Sequence, residues 1–243
     1  MPRILGIPVQ GVTMEEAVAQ LEAMIAKGDS GYVVTANPEM VMAARANRAL
    51  AQAMEGAALV VPDGVGLLWA SRILGHPLPE RVAGIDLLGR LLALSAQRGY
   101  RVYFLGARGE VIADAVANLQ RVYPRLSIAG YHHGYFTPRE EREILEEIKG
   151  AQPQILAVGL GMARQELWLA EHLPALRVPV GIGVGGSFDV LAGRLGRAPQ
   201  WMQRRGLEWA FRLAQEPRRL RRMGALPRFA AAVLWEKFRG VGN

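Results

Sequence analysis

Six short apolar runs punctuate the chain. Most close on glycine, proline or a small polar residue before helical periodicity begins. They are Gly31–Ala36 (GYVVTA), Ala58–Pro62 (ALVVP), Arg101–Leu105 (RVYFL), Ser127–Tyr131 (SIAGY), Ile155–Gly161 (ILAVGLG) and Val178–Gly186 (VPVGIGVGG). Runs this short, apolar without strict alternation, suit strands buried on both faces. The stretches between them carry helix signals. Thr13 with Glu16 and Thr137 with Glu140 are capping boxes, Gly28 is a stop, and Pro38 follows Asn37 as a first-turn proline would. Strands alternating with helices imply a mostly parallel sheet of about six strands with helices on both faces.

That Rossmann-like α/β arrangement places ligand-binding groups at the carboxyl ends of the strands, so the strand exits carry the candidates. The strand Ala58–Pro62 hands Asp63 to a turn containing Gly64 and Gly66. Asp63 there is either a helix N-cap or a chemical group, and one carboxylate at a polar strand end can act as a general base. Thr35 and Asn37 end another strand; Asn37 also reads as a cap. If the two strands are neighbours, Thr35, Asn37 and Asp63 share one site. Arg81 lies in the proline-containing loop before a helix near Ile85, where a phosphate would find free N–H groups; a surface ion pair with Glu80 is the bland alternative. Gly106 and Arg108 form a strand–glycine turn–helix of phosphate-cradling type, without the full Gly-x-Gly-x-x-Gly or Walker pattern. Gly161 closes the fifth run, Gln165 lies in the helix that follows it, and Asp189 follows the sixth run. Asp189 breaks the Gly-x-Ser-x-Gly nucleophile pattern.

Charge divides the chain. Residues 199–243 hold nine arginines and one lysine against Glu208, Glu216 and Glu236, while residues 1–198 balance. This gives an α/β catalytic domain over 1–198 and a basic amphipathic helical appendage over 199–243. The appendage carries Trp201, Trp209 and Trp235 among its arginines, a composition suited to an anionic membrane surface. Packing on the body or on a second copy of the chain, giving a homo-oligomer, is the competing use. The 243 residues contain no cysteine, which removes disulfides, thiol nucleophiles and thiolate-bound metals. No run reaches the ~18 apolar residues of a spanning helix. The five aspartates never occur as Asp-x-Asp, so no dedicated metal site is expected, and anion stabilisation would fall to arginines and helix N-termini. Two other classes fit parts of this pattern. A Rossmann-type nucleotide-dependent oxidoreductase lacks its glycine fingerprint here. A nucleic-acid-binding protein using the basic tail leaves Asp63 unexplained.

Several ordered segments carry a more specific resemblance: Thr35–Glu39 (TANPE), Pro62–Gly66 (PDGVG), Glu80–Gly84 (ERVAG), Gly159–Gln165 (GLGMARQ), Gly185–Gly193 (GGSFDVLAG), Arg197–Pro199 (RAP) and Gly206–Leu213 (GLEWAFRL). Together, from about residue 4 to 223, they resemble the WecG/TagA/CpsF glycosyltransferases. The resemblance implies an inverting, metal-independent enzyme without a cofactor. It would move an N-acetylmannosamine-type sugar from a UDP donor to a polyprenyl-diphosphate-linked acceptor, peripherally on the cytoplasmic face of the plasma membrane, with no nucleic-acid partner. By position it makes Asp63 the general base. Thr35 and Asn37 line its pocket, and Arg81 and Gln165 contact diphosphate or sugar. Gly64, Gly106, Arg108, Gly161 and Asp189 join the substrate-binding set. Arg205, Arg212, Arg219 and Arg222 would approach the acceptor diphosphate. The stretch from Gly224 onward falls outside this resemblance and is expected to serve as an anchor.

Overall fold

The computed structural model describes residues 2–217 and 220–240, without the side chains of Arg221 and Arg222. The chain opens with a hairpin of β1 (Arg3–Ile4) and β2 (Ile7–Pro8), turned by Leu5 and Gly6, both at positive φ. The body follows as α1 (Met14–Lys27), β3 (Gly31–Ala36), α2 (Pro38–Ala46), α3 (Arg48–Glu55), β4 (Leu59–Pro62), α4 (Val65–Ile73), α5 (Gly84–Arg98), β5 (Arg101–Gly106), α6 (Gly109–Val122), β6 (Ser127–His132), α7 (Pro138–Ala151), β7 (Ile155–Gly159), α8 (Arg164–Leu176), β8 (Val180–Gly183) and α9 (Ser187–Leu191). The tail holds α10 (Gln200–Arg204), α11 (Glu208–Gln215), α12 (Leu220–Met223) and α13 (Ala225–Gly240). Both capping boxes form, at Thr13 and at Thr137.

Strands β3 to β8 make one parallel sheet in the order β4-β3-β8-β7-β5-β6. The expected α/β class with about six strands is what forms. Side chains alternate between two cores, as the period of two in a strand requires. Tyr103, Leu105, Leu156 and Val158 face one cluster, with α2, α3, α4, α7 and α8. Val102, Phe104, Ile155 and Ala157 face the other, with α1, α5, α6 and Phe188 of α9.

Two packing details position the site. β3 and β4 are direct neighbours, with Ala36 opposite Pro62, so Thr35, Asn37 and Asp63 leave the sheet side by side. The glycines of β8 serve a helix and its side chains: a Cβ at Gly181 would lie 2.8 Å from Leu169 Cδ2, and one at Gly183 2.8 Å from Gln165 Nε2. Helix α8 therefore comes down close to β8, and Gln165 reaches the strand exit.

The tail is packed onto the body. α13 lies against α2 and α4, with Phe229 and Val233 buried in the first core. Its other side leaves Leu234, Trp235 and Phe238 exposed.

Candidate active site

Asp63 follows the last residue of β4, and its N–H donates to the Ala36 carbonyl at 2.8 Å. It does not cap α4: the N-cap is Gly64, and no side chain bonds there. The turn is compressed against the start of α2. A Cβ at Gly64 would sit 2.7 Å from Pro38 Cδ, and one at Gly66 2.6 Å from Pro38 Cγ. Only glycine allows the two strand exits this proximity, and the carboxylate is left facing a cavity of about 410 Å3.

The cavity gathers groups from several elements. Thr35, Asn37 and Asp63 come from the β3 and β4 exits, and Arg81 and Gly84 from the start of α5. Gly161, Met162 and Gln165 come from the β7 exit, Gly185 and Ser187 from the β8 exit, and Trp209 and Arg212 from α11. Gly206, Glu208, Met223 and Leu226 complete the tail's share of the wall. Of the candidates read from the sequence, Thr35, Asn37, Asp63, Gly64, Arg81, Gly161, Gln165 and Arg212 line this cavity, whereas Gly106, Arg108, Asp189 and Arg205 do not.

Their local bonds differ. Thr35 is buried beneath Gly84, and its hydroxyl donates to the Gly183 carbonyl at 3.3 Å. Asn37 does cap α2, its Oδ1 accepting from Met40 N–H at 3.0 Å, while the residue still lines the cavity. Gln165, buried, accepts the Gly185 N–H at 3.0 Å and donates to Glu166 Oε1 at 2.7 Å. Its amide thus holds the β8 exit loop in place. Glu166 in turn accepts the N–H of Ala163 at 2.7 Å. Ala163 stands at φ 70, ψ −47, a γ-turn conformation of roughly 1–3 kcal/mol strain that this bond helps retain. Burial pushes the Glu166 carboxyl up, against the bonds from Gln165 and Ala163.

Among the described residues Arg81 is the cation nearest the carboxylate. Its Nη2 stands 3.3 Å from Asp63 Oδ1, and its Nε donates to the Asp63 carbonyl. The ion pair with Glu80 does not form; Glu80 instead accepts the Met14 N–H at the start of α1. Burial raises the Asp63 carboxyl above its ordinary range. Arg81, Arg212 and the N–H of Gly84 pull it back without cancelling that effect. A carboxylate so placed is a stronger base than a solvated one.

The remaining candidates lie elsewhere along the same edge. Gly106, at φ 148, approaches Gly159 so closely that a Cβ would meet the Gly159 carbonyl oxygen at 2.4 Å. Gly134 closes over this turn, its N–H donating to Ala107 at 2.8 Å. Arg108 is the N-cap residue of α6, and its charge is felt at Asp189. Burial first, and then Glu216, push the Asp189 carboxyl up; Arg108 and Arg194 oppose them. Strands β5 and β7 are adjacent yet send the chain to opposite faces, through α6 and α8. That is a topological switch point, where such sheets bind nucleotides. Of the four tail arginines singled out, Arg212 lines the Asp63 cavity, and Arg205 is exposed outside its lining. Arg219 lies outside the described residues, as does the Arg222 side chain. Among the described residues no three His, Asp or Glu side chains come together as a metal cluster.

The sequence reading did not single out Glu208, Arg197 or Trp209 as site residues. Glu208 and Trp209 sit inside one segment of the resemblance, GLEWAFRL, and Arg197 inside another, RAP. Their placement in ordered motifs was the available signal.

A parallel α/β sheet with a cavity at its strand exits, and with a raised carboxyl and two arginines on the cavity wall, has the arrangement expected of an α/β enzyme. The chain belongs to the glycosyl transferase WecG/TagA/CpsF family, whose model matches residues 2–242. The match carries through α13 and corrects the expectation that the resemblance stops near residue 223. The chain is 37% identical over 89% of its length to an N-acetylglucosaminyldiphosphoundecaprenol N-acetyl-beta-D-mannosaminyltransferase of Bacillus spizizenii, 84% of which is covered. It is 34% identical over 96% of its length to the protein of the same name in Bacillus subtilis, covered to 91%, and 34% over 93% to that of Staphylococcus aureus, covered to 89%.

Proposed function

We propose that this glycosyltransferase moves an N-acetylmannosamine-type sugar from a UDP donor to a hydroxyl of a polyprenyl-diphosphate-linked sugar, in cell-wall polysaccharide assembly. Asp63 takes the proton of the acceptor hydroxyl. The freed oxygen attacks the anomeric carbon from the face opposite UDP, and the bond to the UDP oxygen breaks with its electron pair staying on the phosphate. The relatives' names carry a beta-D-mannosaminyl group, the configuration that inversion of an α-linked UDP-sugar yields. Arg81, Arg212 and the helix N-termini at the strand exits oppose the diphosphate charge in place of a metal ion. The observation that carries the reading is the Asp63 carboxylate itself: it caps no helix, lines the cavity and is raised by burial.

The acceptor reaches this cavity from a bilayer. Among the described residues no helix is long and apolar enough to cross a membrane. The exposed Leu234, Trp235 and Phe238 on α13, with Arg239 over the Trp235 ring at 4.9 Å, suit a peripheral contact on the inner face of the plasma membrane. The test is a panel of UDP-sugars offered with a short-chain N-acetylglucosaminyl-diphosphate lipid, with free UDP as the readout. UDP-N-acetylmannosamine should release the most UDP, and a chelator should leave the rate unchanged. Preference for another nucleotide sugar would reject the donor, and loss of rate on chelation would reject the metal-free chemistry.

A further inference from the structure

The charges around Asp63 continue past Arg81 into the tail. Glu208, the first residue of α11, is 6% exposed. Its Oε2 accepts from Arg81 Nη2 at 2.7 Å, the same nitrogen that stands 3.3 Å from Asp63 Oδ1. On its other side Arg197 Nε lies 3.8 Å from Glu208 Oε1, and Arg197 Nη2 is held by Asp86 Oδ2 at 2.6 Å. The series Asp63, Arg81, Glu208, Arg197, Asp86 alternates in sign and joins β4, the start of α5 and the tail. A carboxylate this buried needs such partners, since an unpaired buried charge is strongly unfavourable.

We propose that Glu208 is the positioning residue for Arg81, fixing its guanidinium against Asp63 so that docking of α11 sets the catalytic pair. The proposal rests on the reading of Asp63 as general base. Arg81 has three acceptors: the Asp63 carbonyl, the Asp63 carboxylate and Glu208. The first two belong to one residue, so without Glu208 the guanidinium is held from the Asp63 side alone. Glu208 supplies the fixed point on the far side, and Arg197 holds Glu208. Without it the arginine keeps its charge and loses its direction, and a displacement of about 1 Å in a catalytic group can lower a rate about 100-fold.

The experiment compares Glu208→Ala, Glu208→Gln and Glu208→Asp in the full-length chain. It measures kcat and KM for the UDP donor, and follows the titration of the Asp63 carboxyl by carbon-13 NMR without substrate. Glu208→Ala should lower kcat about 100-fold, with donor KM changed less than about threefold, and should move the Asp63 titration upward as Arg81 leaves it. Glu208→Gln keeps an oxygen for Arg81 at the same reach; it should lose less than about tenfold in kcat and show no upward titration. If Glu208 acted through its charge alone, both substitutions would lower the Asp63 titration, and that result overturns the proposal. So does a folded Glu208→Ala protein with the wild-type kcat. Should the alanine protein not fold, Gln and Asp decide: Asp, one methylene short, must lose more than Gln, and the reverse order rejects the positioning role. The NMR titration needs no turnover. A wild-type protein inactive on every UDP-sugar therefore sinks the functional reading while the positioning role is still judged.

Discussion

At Asp63 stability and chemistry pull in opposite directions. Burial raises its folded-state pKa above the unfolded value, which is ~3.9 for a free aspartate. Between those two values the folded chain binds more protons than the unfolded one, so stability falls as pH rises through that window. Above it the folded protein carries the full penalty of an ionised buried carboxylate. Asp63→Asn removes the penalty. The asparagine protein should melt at a higher temperature than wild type at pH 7, with the gap closing as pH falls from the raised folded-state pKa to the unfolded value. A lower melting temperature at pH 7, unchanged across pH, would contradict the assignment of burial as the dominant cause. The same raised pKa should place the acid limb of the kcat/KM profile of the wild type above the ordinary carboxylate range.

Among the elements, the meeting of α2 and α4 is what brings two strand exits into one site. Gly66 is in the first turn of α4, where alanine would ordinarily be favoured by about 1 kcal/mol. Here the added Cβ would stand 2.6 Å from Pro38 Cγ, part of a ring with little freedom to move. Gly66→Ala should therefore destabilise by about 1–3 kcal/mol in chemical denaturation and slow turnover, and adding Pro38→Ala should restore part of the stability. Additive losses in the double variant would argue against the contact. The strands were legible because their period and glycine, proline or aspartate exits are local signals. Gly31–Ala36 falls where the sequence places it, and Asp63 emerges at a strand end. The neighbour relation of β3 and β4 was only a condition in the sequence, because pairing order is set by packing across the whole sheet. The β8 glycines could be read as approach by backbone or by ligand; the bodies that approach are the side chains of α8. Glu208 could not be found by charge counting, since its role depends on Arg81 and Arg197, 127 and 11 positions away.

Across the whole molecule, the tail is both a core element and an outward surface. Phe229 is 2% exposed and Val233 fully buried, whereas Trp235 and Phe238 are 62% and 75% exposed. Removing the tail entirely would confound the two functions. Phe229→Ala should destabilise the protein by about 3–5 kcal/mol, read from denaturant unfolding. Replacing Leu234, Trp235 and Phe238 together by serine should leave the melting temperature near wild type and abolish sedimentation with anionic phospholipid vesicles. Full retention on vesicles would reject α13 as the membrane contact. Basic composition alone could not separate these faces; the split follows from which side of α13 meets α2 and α4. The decisive measurement puts Asp63→Asn and wild-type protein on vesicles carrying the lipid-linked acceptor, and records UDP affinity and UDP release together. The account predicts unchanged affinity for UDP and a release rate lower by about 100-fold or more; a release rate equal to that of wild type would contradict it.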